Sequence, residues 1–369
     1  MNSIKKMMLS GALGCLISGM AYADGSSPQP VKPYWQDIQV VAVNKEKPRS
    51  SFMSYADRET ALTSRFEKSP YYSLLNGTWK FFFVDSYKDL PQNITDPSVN
   101  TSSWDDITVP GNWEVQGHGV AIYTNHGYEF KPRNPQPPLL PEANPVGVYR
   151  RDIEIPASWD NRDIYLHIGG AKSGLYVYLN GKEVGYSEDS KNPAEFLINK
   201  YLQPGKNVLT LKIFRWSTGS YLECQDMFRM SGIFRDVYLY NVPKVSVRDH
   251  YITCLLDKDK NYKSGTMNVK LSLDNRDKLK GTKNLLVRLL DPEGRKVAES
   301  EVAVKYAPSS PVSTANVSFD LTDLSLWTAE TPTLYTVQVI QRQGGKDEMA
   351  FSTKYGFRDI EVKGSLLYL

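Results

Sequence analysis

Residues 175–179, Leu-Tyr-Val-Tyr-Leu, put three aliphatic side chains on one face of an extended chain and two tyrosines on the other. Asn180 and Gly181 follow at once, and Asn-Gly is the pair that accepts the positive φ angles of a two-residue hairpin turn. Period-two alternation followed by a two-residue reversal reads as an antiparallel hairpin, and similar strand signals recur at 77–85, 147–155, 163–168, 208–216 and 233–240. Leu209, Leu211 and Ile213 repeat the inward aliphatic row. No long amphipathic helix competes with this pattern; one short helix is expected near residues 58–66. Many short strands and frequent turns predict an all-β chain, with a jelly-roll β-sandwich over residues 70–242.

Pro243 marks a change. Beyond it tryptophan disappears until Trp327, lysine rises, and strand-like runs lengthen: 245–256, 266–273, 284–290, 297–306, 312–319, 333–341 and 348–355. Asp291-Pro292-Glu293-Gly294 and Gly344-Gly345 have hairpin-turn chemistry. Seven strands in this span predict an immunoglobulin-like β-sandwich over residues 243–358.

The N-terminus has Lys5 and Lys6, an apolar run over 7–20 and the small-residue site Ala21-Tyr22-Ala23, so residues 1–23 read as a secretory signal peptide too short in its apolar part to span a membrane. The expected location is exported and periplasmic, with lipid anchoring through Cys15 as the alternative. Residues 24–69 are a polar, Pro-rich leader and then an arm, mixed in aromatics and charge, that lies on a larger body. With 44 Lys and Arg against 41 Asp and Glu and no basic run, nucleic acid and charged membrane surfaces are not expected partners. Cys224 and Cys254 remain after cleavage; a disulfide and two buried thiols are both open. His118, His126, His167 and His250 carry no zinc-ligand spacing.

Chemistry concentrates in residues 215–236, RWSTGSYLECQDMFRMSGIFRD, a loop dense in donors, acceptors and aromatic faces between two strand signals, as a carbohydrate contact requires. The Pro-rich stretch 121–145 is irregular and long, which points to function or disorder. Retaining glycoside hydrolysis needs two carboxyls about 5–5.5 Å apart. Glu188 and Asp189 are adjacent on a strand and face opposite ways; Glu223 and Asp226 can converge, or can be a solvated or Arg-paired loop with Arg229 and Arg235 as partners. Trp113 and Trp216 read first as core residues, with a sugar platform as the alternative.

Several stretches resemble the long β-galactosidases of glycoside hydrolase family 2: LLNGTWKFFF (74–83), VPGNWEVQG (109–117), IYTN (122–125), NPVGVYRRDIEIP (144–156), YVYLNGKEVGYSEDSKNPAEF (176–196) and RWSTGSYLECQDMFRMSGIFRDV (215–237). LWTAETPTLY (326–335) and YGFRDIEV (355–362) resemble the end of that family's first immunoglobulin-like domain. The resemblance implies a galactose-binding-like jelly roll, the immunoglobulin-like sandwich, and in 359–369 the truncated start of a (β/α)₈ catalytic barrel. A barrel takes about 250 residues. Both catalytic glutamates are therefore expected outside this sequence, and no catalytic residue is assigned.

The complete enzyme so implied hydrolyses terminal non-reducing β-D-galactose residues with retention, and this chain alone is expected to be inactive. By the same resemblance Asn125 matches an asparagine that hydrogen-bonds galactose, and Asp226 an aspartate that holds a galactose hydroxyl and helps bind sodium together with barrel groups. Cofactors are expected only for the complete enzyme, as magnesium and sodium. Its expected partners are β-galactoside-containing sugars and copies of itself in a homo-oligomer. Cys224 stands where an acidic or polar neighbour of Asp226 is ordinary. The alternatives are a stand-alone or truncated carbohydrate-binding module, or a β-glucuronidase or β-mannosidase fragment; YTN and QDMFRMSG favour the galactosidase. A fragment should also expose apolar faces that the barrel would cover.

Overall fold

The computed structural model describes residues 32–125, 127–130 and 134–369; the expected signal peptide, Cys15, His126 and Pro132 lie outside them. The aliphatic row that defines the first hairpin does point inward. Leu175, Val177 and Leu179 are buried in strand Gly174–Leu179, and Asn180 and Gly181 take φ of 54° and 77° to turn into strand Lys182–Ser187. Leu209, Leu211 and Ile213 of strand Lys206–Phe214 sit beside them in register, Leu209 opposite Leu179 and Ile213 opposite Leu175.

These strands belong to a seven-stranded sheet in the order Ala42–Val43, Lys182–Ser187, Gly174–Leu179, Lys206–Phe214, Val146–Glu154, Gly77–Val84, Asp105–Val109. A four-stranded sheet, Ala194–Leu197, Arg162–Ile168, Val237–Pro243 and Tyr72–Leu74, contributes Leu166, Ile168, Phe196 and Leu239 to the same apolar core. Each such buried side chain contributes about 1.5–3 kcal/mol.

The tyrosine face of the first sheet is not left to water. Trp35 stacks on Phe214 with ring centroids 5.0 Å apart, and Tyr34 stacks on Tyr176 at 5.7 Å, so the N-terminal arm covers that face. The helix expected near residues 58–66 is shorter, Arg58–Leu62, capped by Asp57, whose side chain accepts from the Thr60 amide at 2.7 Å.

The second sandwich pairs Val245–Leu256, Gly265–Asn275 and Val312–Leu321 in one sheet and Lys296–Tyr306, Gly281–Leu290, Tyr335–Gln343 and Lys346–Tyr355 in the other. Met267, Val269, Leu271 and Leu273 alternate inward against Leu285, Val287 and Val339. A hairpin, Glu361–Lys363 with Leu366–Tyr368, follows, and Val362, Leu366, Leu367 and Leu369 are exposed on it. The chain is thus all-β, a jelly-roll sandwich followed by an immunoglobulin-like one.

Residues 34–369 pack as one unit. Glu195 stands where the arm and the two sandwiches meet: it accepts from Arg49 Nε at 3.1 Å, from Tyr240 Oη at 2.9 Å and from Arg248 Nη2 at 2.6 Å, and pairs with His167 at 2.9 Å. Burial alone would push this carboxyl up, but the His167 hydrogen bond and the two guanidiniums hold it far below the usual carboxylate range. Cys224 and Cys254 are both free thiols. Among the described residues no helix is long and apolar enough to cross a membrane.

Candidate functional site

The 215–236 loop leaves strand Lys206–Phe214 and is fastened at its root. Arg215 is buried and donates from Nη1 to Val120 O at 2.9 Å and from Nη2 to Arg229 O at 3.3 Å. The amide of Trp216 donates to Asn144 Oδ1 at 3.1 Å, so the motif NPVGV helps hold the loop. A single turn, Thr218–Tyr221, comes next, with Ser217 and Ser220 forming a reciprocal cap.

Three acids then tie the loop to the body. Glu188 accepts from Thr218 Oγ1 at 2.8 Å, Gly219 N at 2.6 Å and Tyr186 Oη at 2.7 Å; it is buried, and burial pushes its carboxyl up despite those bonds. Glu223 accepts from Ser190 N at 2.8 Å and Ser190 Oγ at 2.6 Å. Glu114 accepts from Ser231 N at 2.8 Å, and burial raises its carboxyl too. Their carboxylates are occupied by amides and hydroxyls that link the loop to the body. Asp189 faces away from Glu188: it is exposed, accepts from Asn192 at 3.0 Å and lies 3.8 Å from Lys45.

The expected pairing of Arg229 and Arg235 with Glu223 and Asp226 is not what forms. Arg229 donates to the backbone carbonyls of Glu223 at 3.5 Å and Cys224 at 3.3 Å, and Arg235 donates to Lys191 O at 2.7 Å. A guanidinium has several donors in a fixed fork, and carbonyls of the bent loop take the two terminal nitrogens of Arg229. Trp113 is fully buried; Trp216 is nearly so, its indole nitrogen donating to Glu129 Oε1 at 2.7 Å and its ring 5.6 Å from Phe130. Both are packing residues rather than open platforms.

Asp226 is left over from this fastening. It is exposed and makes no hydrogen bond or ion pair with a described residue. An isolated antiparallel bridge joins Ile122 to Arg229 and lays the IYTN segment along the loop. Asn125 lies three residues after Ile122 and Asp226 three before Arg229, and Asn125 too is exposed. Tyr123, Leu222 and Phe228 are exposed on the same two segments, at 84%, 82% and 73%.

One carboxylate oxygen is a sound hard-cation ligand, and Asp226 fits a single corner of a sodium shell. Among the described residues no group of three His, Cys, Asp or Glu converges as a metal site, so Asp226 would need oxygens from elsewhere.

Sequence reasoning missed Glu114, Glu129 and Lys172, and the two-residue strands Gly111–Asn112 and Ala171–Lys172 that flank Gly232–Ile233, near the end of the loop, in a small sheet. Two-residue strands have no period to detect. The buried acids are single charges in irregular sequence, and only a buried arginine opposite distinguishes them.

The profile of glycosyl hydrolases family 2, sugar binding domain, matches residues 72–243, and that of glycosyl hydrolases family 2 matches 245–358. Similar curated proteins include a β-galactosidase of Priestia megaterium, 35% identical over 91% of this chain and 33% of that protein. Another, from Actinobacillus pleuropneumoniae, is 34% identical over 90% and 30%. The chain thus spans about a third of the length of these relatives. Among solved structures, a Bacteroides uniformis β-glucuronidase superposes with a TM-score of 0.64 at 20% identity, covering 79% of this chain and 32% of that one, which speaks for the fold alone. The chain belongs to glycosyl hydrolase family 2, of which it carries the sugar-binding domain and the immunoglobulin-like domain that follows.

Proposed function

We propose that these residues are the N-terminal part of an exported β-galactosidase-like hydrolase and supply one wall of its sugar pocket, with Asn125 and Asp226 contacting the galactosyl unit. The observation that supports this is the Ile122–Arg229 bridge, which joins the two segments that carry these exposed residues, while Glu188, Glu223 and Glu114 are occupied in holding the loop. An exposed carboxylate accepts hydrogen bonds from neutral sugar hydroxyls and repels a uronate, which favours a galactoside over a glucuronide.

The glycosidic bond is broken, with retention, by residues outside these 369; Glu188, Glu223 and Glu114 are each held by other groups around the loop. Magnesium and sodium belong to the complete enzyme, a homo-oligomer, with Asp226 as one sodium ligand. The exposed Tyr123, Leu222 and Phe228 are rim groups for the part that closes the pocket.

The test is an assay of this chain with a chromogenic β-galactoside. No hydrolysis above background is expected; turnover by this chain alone would overturn the assignment of chemistry to other residues.

A further inference from the structure

Under the loop lies a carboxylate that the fastening described above does not account for. Glu129 is almost wholly buried, its side chain 4% exposed, and it sits four residues beyond Asn125. Oε1 accepts the Trp216 indole N–H at 2.7 Å and lies 3.8 Å from Lys172 Nζ, whose side chain is 3% exposed. Oε2 faces Arg229 Nε at 3.9 Å, with the arginine side chain 1% exposed. Oε2 and that Nε have no hydrogen-bond partner among the described residues.

A buried ionised carboxylate is retained only where opposite charge and hydrogen bonds surround it. Here the groups that surround Glu129 come from three separate places: strand Ala171–Lys172, the start of the loop at Trp216, and its far limb at Arg229, three residues past Asp226. Glu223 and Glu188 each fasten one point of the loop to the strand region around Ser187–Ser190, and Glu114 fastens Ser231; none of these acids lies in the IYTN segment. Glu129 is the described carboxylate whose own chain leads directly to Asn125 and whose partners lead directly to Asp226.

We propose that Glu129 is the positioning residue of the candidate sugar site: one buried carboxylate sets the Asn125 segment and the Asp226 loop against each other through Trp216, Lys172 and Arg229. The functional meaning rests on the sugar-wall reading, whereas the mechanical coupling does not. Both cations lie beyond hydrogen-bond reach, so charge attraction rather than a directed bond supplies much of the hold, and an uncharged replacement of the same shape loses it.

The test uses the 369-residue chain with Glu129→Ala, Glu129→Gln and Trp216→Phe, read by hydrogen exchange on peptides covering 119–130 and 218–230 and by the Trp216 indole N–H resonance. Glu129→Ala should raise exchange about tenfold in both segments together, leave the second sandwich unchanged and shift the indole resonance. Glu129→Gln keeps an acceptor for the indole, so the resonance should stay near its wild-type position while both segments exchange faster by a smaller factor. If Glu129→Ala does not fold, Glu129→Gln and Trp216→Phe carry the same test, the latter loosening both segments with the charge in place. Loosening of one segment only, or of neither, overturns the proposal. A separate galactose titration of the wild-type chain reads the sugar assignment: failure there with coupled exchange intact would count against the sugar reading alone.

Discussion

Arg248 Nη2 reaches Glu195 Oε2 at 2.6 Å, and this contact crosses from the second sandwich to the first. Arg49 of the arm meets the same carboxylate, so one acid joins three parts of the chain. Removing it leaves two buried guanidiniums facing each other, a change that typically costs about 3–5 kcal/mol. Glu195→Gln should therefore lower the unfolding free energy by an amount of that order at neutral pH, measured by urea denaturation followed by fluorescence.

The pH dependence follows from the direction of the shift. Glu195 has a folded pKa depressed below that of an unfolded glutamate, about 4.3. Its stabilising contribution is present above that value and is lost as pH falls below it toward the folded pKa. Wild-type unfolding free energy should drop as pH falls below about 4.3, and the drop should be smaller in Glu195→Gln. Equal acid sensitivity in the two proteins would contradict the assignment.

Packing under the loop is equally exposed to test. A Cβ at Gly147 would come within 2.6 Å of Trp113 Cζ3 and 2.7 Å of Phe81 Cε2, both on buried rings. Gly147→Ala should destabilise by about 1–3 kcal/mol through overpacking, seen as a lowered melting temperature.

Glu223→Ala removes the acceptor of the Ser190 amide and hydroxyl. An amide left without a partner costs about 1–3 kcal/mol, and here the effect is local. Limited proteolysis should cut faster near residues 219–226 while the global denaturation midpoint moves little.

The sandwiches were legible because their strands are periodic: strand Val245–Leu256 coincides with its expected bounds, and Asn180-Gly181 makes its turn as Asn-Gly chemistry requires. The signal at 233–240 resolves into Gly232–Ile233 and Val237–Pro243, which belong to different sheets; at 232 a φ of 107° lets the chain change partners. Motif resemblance picked out Asn125 and Asp226, and the Ile122–Arg229 bridge brings their segments together. The wiring beneath them was not legible. Arg229 turns to backbone carbonyls, and Glu129 finds its cations across the fold, relations that only tertiary structure sets.

The central claim, that Asn125 and Asp226 form one sugar-contacting wall, is tested most directly by an NMR titration of this chain with galactose and, in parallel, glucuronate. Half a pocket binds weakly, so the ligand is raised well above millimolar. The account predicts galactose-dependent shifts confined to residues 122–125 and 226–229, weaker ones with glucuronate, and their loss in Asp226→Ala, whose stability should stay within about 0.5 kcal/mol of wild type. Shifts located elsewhere, no shifts at all, or shifts in these segments that persist unchanged in Asp226→Ala, would contradict it.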